Sequence, residues 1–299
     1  MFRSGPVVGG VLLLAGCSGG GGGGGGGTAA TSATATPYGT TLDQVLAPVN
    51  TGLGKAAAAT TTFELDTALA GVESNIGRAV RNLNAVTAPA GADPARTDLV
   101  NGLTALASES SALRGDVLNH KVCTVGAAQA SLGAGPGMAA VSAALAELTA
   151  AGYQPALVVP QLPKPHPQAR ALENGTPVRD GGKGGKRALK VVNDNGPADA
   201  VFTIAQDGKA VASVYAAKGK STTIEGIKDG AYDVYVATGA DWDSDVKQFT
   251  QDCRYVKFRE KYAFPNPETG TGWVFDLTPV RGEGGAPIEG QTANSAPQP

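Results

Sequence analysis

Apolar residues recur at two different periods along this chain. Over residues 41–152 the period is helical. Leu42, Val45, Leu46, Val49 and Leu53 mark one face, and Leu65, Leu69, Val72, Ile76, Val80 and Leu83 recur at four- and three-residue steps. That spacing puts side chains on one side of a helix with 3.6 residues per turn. Leu99, Leu103, Leu106, Leu113 and Val117 continue a similar stripe, and Met138, Val141, Leu145 and Leu148 mark a fourth helix. Thr41 with Gln44 predicts a capping box. Pro48 predicts a kink or break in the first helix. Asp93-Pro94 reads as an N-cap followed by the first helical position, and Gly152 as a C-cap. Short Gly/Pro/Ala loops at 88–93 and 133–137 favour antiparallel neighbours.

From Arg187 the period becomes two. Leu189 and Val191 point one way and Lys190 the other; Phe202 and Ile204 follow, and Asp207-Gly208 turns the chain back into 211–216. An Asp-Gly pair between alternating runs is a hairpin signal because both residues accept positive φ. Residues 222–227 lead through Asp229-Gly230 into Tyr232, Val234 and Val236, and further strands are expected at 248–249, 254–258 and 273–277. About seven short strands at this spacing predict a two-sheet sandwich. The expected fold class is therefore α+β in two domains, an N-terminal antiparallel helical bundle (38–152) followed by a C-terminal antiparallel β-sandwich (187–281). Pro155, Pro160, Pro163, Pro165 and Pro167, then Gly181-Gly182-Lys183-Gly184-Gly185, mark 153–186 as a Pro/Gly-rich linker. Residues 282–299 read as a disordered tail.

Composition adds two constraints. The formal net charge of −2 over 299 residues gives no reason to expect a nucleic-acid partner. The aromatics lie mostly between Phe202 and Phe275, so the two regions should have different core chemistry.

The N-terminus carries the most specific motif. Arg3 and the free amine precede an apolar run from Val7 to Ala15, and Leu14-Ala15-Gly16-Cys17 closes it. The run is too short to span a bilayer. This tetrapeptide resembles the lipobox of bacterial lipoproteins. With the alanine-, glycine- and threonine-rich composition of a GC-rich genome, it suggests an actinobacterial source. The resemblance implies cleavage after residue 16, a diacylglycerol on Cys17, and a mature protein on the outer face of the cell membrane. Two acyl chains anchor stably without a transmembrane helix. Residues 17–37 form a Gly/Thr/Ala-rich tether, with Gly19 to Gly27 uninterrupted glycine, reaching about 25 Å from the bilayer.

A second resemblance lies in Ile224-Glu-Gly-Ile-Lys-Asp-Gly230-Ala-Tyr232-Asp-Val-Tyr-Val236. It looks like the G-x-Y-x-V hairpin of carboxypeptidase-regulatory-like and collagen-adhesin B-type domains, in which the glycine turns the chain and the tyrosine packs inside. The resemblance implies an isopeptide candidate in Lys190, Asp276 and Glu225, against the simpler reading of three solvent-exposed side chains. After Thr238 the pattern departs, with an insertion at 239–245.

Candidate chemistry is sparse. Asp241, Asp243 and Asp245 form the densest carboxylate group, and a D-x-D-x-D run can offer three of the six to eight oxygens calcium takes. Val246, however, replaces the glycine of an EF-hand turn. Trp242, Tyr255, Tyr262 and Trp273 are candidates for an aromatic sugar-stacking platform, but a sandwich of this size needs aromatic core, so most of them should be buried; Trp242, in the same polar stretch, is the better candidate for exposure. Cys123 and Cys253 are either a disulfide contributing about 4–5 kcal/mol or two separate buried thiols. His120 and His166, the only histidines, have no metal-ligand spacing. No enzyme motif emerges, and no cofactor beyond the lipid and the calcium candidate is expected. The function read from these features is a lipid-anchored, non-catalytic interaction or structural role at the cell envelope. Its partners would be the membrane, cell-wall polymer or another surface protein. The alternative is a carbohydrate- or calcium-dependent binding module.

Overall fold

The computed structural model describes residues 37–166, 169–181, 184–266, 268–277 and 291–292. The signal segment, Cys17, the tether and most of the tail lie outside them. Among the described residues five helices precede the strands, so the chain is an α+β protein with a helical region followed by a β-sheet region. Both regions belong to one compact unit.

The helices are α1 (Tyr38–Ala58), α2 (Thr62–Ala85), α3 (Asp93–Leu118), α4 (Val125–Ala134) and α5 (Pro136–Ala150). The sequence stripes are the buried faces: Leu42, Leu46, Val49 and Leu53 of α1 meet Leu65, Leu69, Val72 and Ile76 of α2 in one core with Leu99, Leu103 and Leu106 of α3. Pro48 does not break α1. Leu46, Val49 and Leu53 stay on the same buried face across it, while Pro48 itself is exposed, so burying the stripe outweighs one missing hydrogen bond. The capping box sits at α2 instead of α1: the Thr61 hydroxyl accepts from Glu64 N, and the Glu64 carboxylate accepts from Thr61 N. Helix α4 has no sequence stripe. It is held by Gln129, whose buried amide donates to the carbonyls of Ala56, Ala57 and Ala59 at the end of α1. Helices α3 and α5 touch backbone to backbone: a Cβ on Gly137 would lie 2.5 Å from Leu106 N, and one on Gly102 2.9 Å from Val141 N.

Residues 153–166, read above as the start of a linker, lie along the bundle as a strap, with Arg170 following in the chain. Ala156 N and Val158 N donate to Asp43 Oδ1 and Asn50 Oδ1, about two turns apart on one face of α1, at 2.8 and 3.0 Å. Leu157 is buried between these bonds.

The strands are β1 (Pro177–Asp180), β2 (Arg187–Asn193), β3 (Asp199–Gln206), β4 (Lys209–Ala216), β5 (Lys220–Ile227), β6 (Gly230–Asp243), β7 (Gln248–Lys257), β8 (Tyr262–Phe264), β9 (Trp273–Asp276) and β10 (Gln291–Thr292). They form one sheet ordered β1-β4-β3-β6-β7-β10, with β8 beside β6, and a second ordered β5-β2-β9. One apolar core takes Leu189 and Val191 of β2, Phe202 and Ile204 of β3, Val234 and Val236 of β6, and Phe275 of β9. The expected purely antiparallel pairing is corrected at β9, which runs parallel to β2. The Asp207-Gly208 hairpin turn is present, with both residues at positive φ.

The larger sheet is covered on both sides: β3 is buried from Ala200 to Ala205. Its second face carries a smaller core of Val201, Tyr215, Trp242, Phe249 and Cys253. The residues expected to form a polar insertion at 239–245 instead extend β6 to Asp243, past a register shift between Thr238 and Ala240.

Replacing Gln129 with Leu would leave the α1 carbonyls without their donor. We expect a loss of about 1–3 kcal/mol in unfolding free energy, read from urea denaturation followed by circular dichroism. An unchanged midpoint would show that the end of α1 is held without it.

Candidate functional site

The chemistry of this chain collects where the bundle meets the larger sheet. The turn after α3 pairs with β7 in antiparallel fashion: Cys123 N donates to Thr250 O, Asp252 N to Lys121 O and Cys253 N to His120 O, at 2.9, 3.2 and 2.9 Å. Val122 and Gln251 form the bridge between them. Cys123 and Cys253 are joined in a disulfide, their Cα atoms 6.2 Å apart. Of the two readings the sequence allowed for these cysteines, the structure has the bridge.

Strained backbone marks the same place. Among non-glycine residues, His120, Asp241, Lys247 and Asp252 have φ between 50° and 56°. Such conformations cost about 1–3 kcal/mol each unless the surroundings enforce them. At Asp241 the enforcement is visible. Asp241 and its neighbour Trp242 are both buried, and each is held by its own set of partners on a sheet that is covered on both sides.

Asp241 is the centre of an ion-pair network. Arg170 reaches it with Nε to Oδ1 at 3.0 Å and Nη2 to Oδ2 at 2.7 Å, and Arg170 N also donates to Oδ1 at 2.9 Å. The Thr250 hydroxyl donates to Oδ2. Arg170 Nη1 contacts Asp243 Oδ2 at 3.1 Å and His166 Nε2 at 3.0 Å. Trp242 N donates to Arg170 O, closing the loop between strap and strand. A fork-shaped bidentate pair of this kind is stronger than a point contact. The Arg170 guanidinium holds the Asp241 carboxyl far below the usual carboxylate range, against the opposing effect of burial. Asp241 reciprocally raises Arg170.

This network redefines the calcium candidate. The oxygens of Asp241 serve Arg170 and Thr250, and Asp243 Oδ1 accepts from Asp245 N and Val246 N. Among the described residues no group of three or more His, Cys, Asp or Glu side chains is placed to hold a metal ion. A cation at Asp241 and Asp243 would first have to displace the guanidinium. The sugar platform also needs correcting. Trp242 is only 3% exposed, packed edge-on against Tyr215 and Phe249. It is a wall, seated in the second core and touching the larger cleft, and no exposed platform.

Lys190, Glu225 and Asp276 are all exposed. Lys190 stands opposite Thr223 and Val274, and Glu225 and Asp276 lie one pair along in opposite directions, opposite Ala188 and Val192. The three are on the outer surface of the smaller sheet, where water competes for each charge.

Two clefts flank the junction. The larger, about 640 Å³, lies between the α1–α2 turn, the α3–α4 turn and the sheet; Val117, Val122, Val201 and Ala237 supply apolar lining and Thr60, Thr61, Thr62, Thr124 and Tyr255 polar groups. The smaller, about 390 Å³, opens beside His166, Arg170 and Asp241. Sequence reasoning missed Arg170, the key cation, because its partner is 71 residues away and no periodicity links them. The sequence favours Trp242 over Tyr255 as the exposed aromatic, because an aromatic in an alternating run reads as core; the structure buries Trp242 and leaves Tyr255 half-buried in the cleft wall.

Asp241 ionisation stabilises the fold with a definite sign. Its folded pKa is depressed, so the contribution is complete above about pH 4 and is lost as pH falls toward the folded value. At neutral pH Asp241→Asn should cost about 1–3 kcal/mol, and the unfolding free energy of the variant should fall less than that of the parent between about pH 5 and about pH 2. Denaturation midpoints across that range test both; parallel pH profiles would remove Asp241 as the titrating group. Comparison with protein-family models, curated proteins and solved structures gives no match, so function is argued from this chain's own residues.

Proposed function

We propose that this chain is an extracytoplasmic protein resembling bacterial lipoproteins, anchored to the outer face of the cell membrane by a diacylglyceryl group on Cys17, with a non-catalytic interaction role at the envelope. The observation that carries the reading is the Cys123–Cys253 bridge. Disulfides of this structural kind persist in oxidising compartments and are rare in the cytosol. The bridge therefore supports export independently of the Leu14-Ala15-Gly16-Cys17 motif. Among the described residues no helix is long and apolar enough to cross a membrane, which fits attachment through lipid.

In this reading the two sheets sharing one core form a β-sandwich, and the body is presented to cell-wall polymer or a surface protein as a rigid unit. The strap on α1, the Arg170–Asp241 pair and the disulfide support rigidity, since each ties the helical region or its strap to another element. The charged groups at the junction spend their capacity on one another, which favours binding over catalysis there.

Two measurements test the anchor and the compartment. Fatty-acid labelling of cells expressing the full chain should mark the protein, and Cys17→Ala should abolish the mark; label retained in the variant sinks the anchor. The chain has three cysteines. Denatured without reductant, the mature protein should show no reactive thiol, and two after reduction; two before reduction would remove the bridge.

A further inference from the structure

We infer that the 640 Å³ cleft between bundle and sheet is a binding site for a neutral, hydroxyl-rich ligand, a short oligosaccharide, with Tyr255 as its aromatic wall. The volume lies within the range of about 300–1,000 Å³ usual for small-molecule sites and leaves room for roughly two or three sugar rings.

Unspent polar groups line it. The Tyr255 phenol has no hydrogen-bond partner among the described residues, although burial is enough to push its pKa up. The phenol oxygen is not among the buried unsatisfied atoms, so water meets it in the free protein and a ligand hydroxyl can take that place. The Thr62 hydroxyl and the Gln248 amide, also in the lining, have no protein partner among the described residues either. Thr61 and Thr124 accept from the backbone N–H groups of Glu64 and Ala127, which leaves each hydroxyl proton free to donate outward. Hydroxyl and carboxamide groups both donate and accept, as sugar hydroxyls do.

Charge sets the ligand class. Lys247 and Asp243 are the cleft's formal charges. Asp243 is paired with Arg170, and Lys247 Nζ donates to Val178 O at 3.4 Å. Lys247 keeps its charge at the exposed rim, so the cleft carries one formal charge of each sign and no net excess that would select a charged ligand. The apolar lining from Val117, Val122, Val201 and Ala237 suits the C–H faces of a sugar ring, and Tyr255, set edge-to-face with His120, adds an aromatic wall. The Cys123–Cys253 bridge lies in the same wall, so the two sides are held apart before a ligand arrives.

This proposal does not depend on the lipid anchor. The test is calorimetric titration of the full chain, purified in detergent with its disulfide intact, with neutral trisaccharides of glucose, mannose, galactose and N-acetylglucosamine. Saturable binding of at least one, with a Kd of about 1 mM or tighter, is expected. Tyr255→Ala should weaken it about tenfold or more, and Tyr255→Phe by less. Thr62 is exposed, so Thr62→Trp fills the cleft mouth without disturbing the core and should block binding. No saturable binding by any trisaccharide overturns the proposal, and so does binding that survives both Tyr255→Ala and Thr62→Trp.

Discussion

The pairing of the α3–α4 turn with β7 is the constraint on which the arrangement of this molecule depends. Three backbone hydrogen bonds and one disulfide join residues far apart in sequence. Each bond alone is modest, since folding exchanges water partners for protein ones. Their effect comes from acting together at one place. With His120, Lys121 and Cys123 fixed against β7, the end of α3 and the start of α4 cannot move relative to the sheet. The second core of Val201, Tyr215, Trp242 and Phe249 can then close beneath them.

Arg170 completes that arrangement beside the same junction. Its guanidinium binds Asp241 and Asp243, and its backbone engages Asp241 and Trp242, so one residue fixes both the side chains and the main chain of the bulged strand. Asp241 is 8% exposed, and a carboxylate that deep needs a partner to stay charged. The cation makes the buried aspartate tolerable, and the aspartate in turn orders the strap.

Much of the fold was legible because burial imposes a period. The stripe from Leu65 to Leu83 survives as the buried face of α2, and Tyr232, Val234 and Val236 of β6 share one apolar core. What stayed hidden had no period to read. Helix α4 is rich in alanine and glycine and is secured by one glutamine. Trp242 sits among aspartates, and only the second core over the larger sheet, with Tyr215 and Phe249, buries it. Thr61, rather than Thr41, caps a helix because Glu64 stands beside a real helix start, whereas Thr41 is already inside α1. Of the candidate site residues, the cysteines were visible as a pair, but the cation that occupies the aspartates was not. Complementarity across a folded junction leaves no trace in local spacing.

The disulfide has a mechanical consequence. It closes a loop with a sequence separation of 130 residues. A pull applied through the two ends of the chain passes from residue 123 to residue 253 through the sulfur atoms and bypasses everything between. The α4–α5 pair, the strap and strands β1 to β6 lie inside that loop and cannot be drawn out by such a load. Helices α1 to α3 and the strands after Cys253 are left in the line of tension. A molecule attached at one end and held at the other would yield there first, while the Arg170 network inside the loop kept its shape.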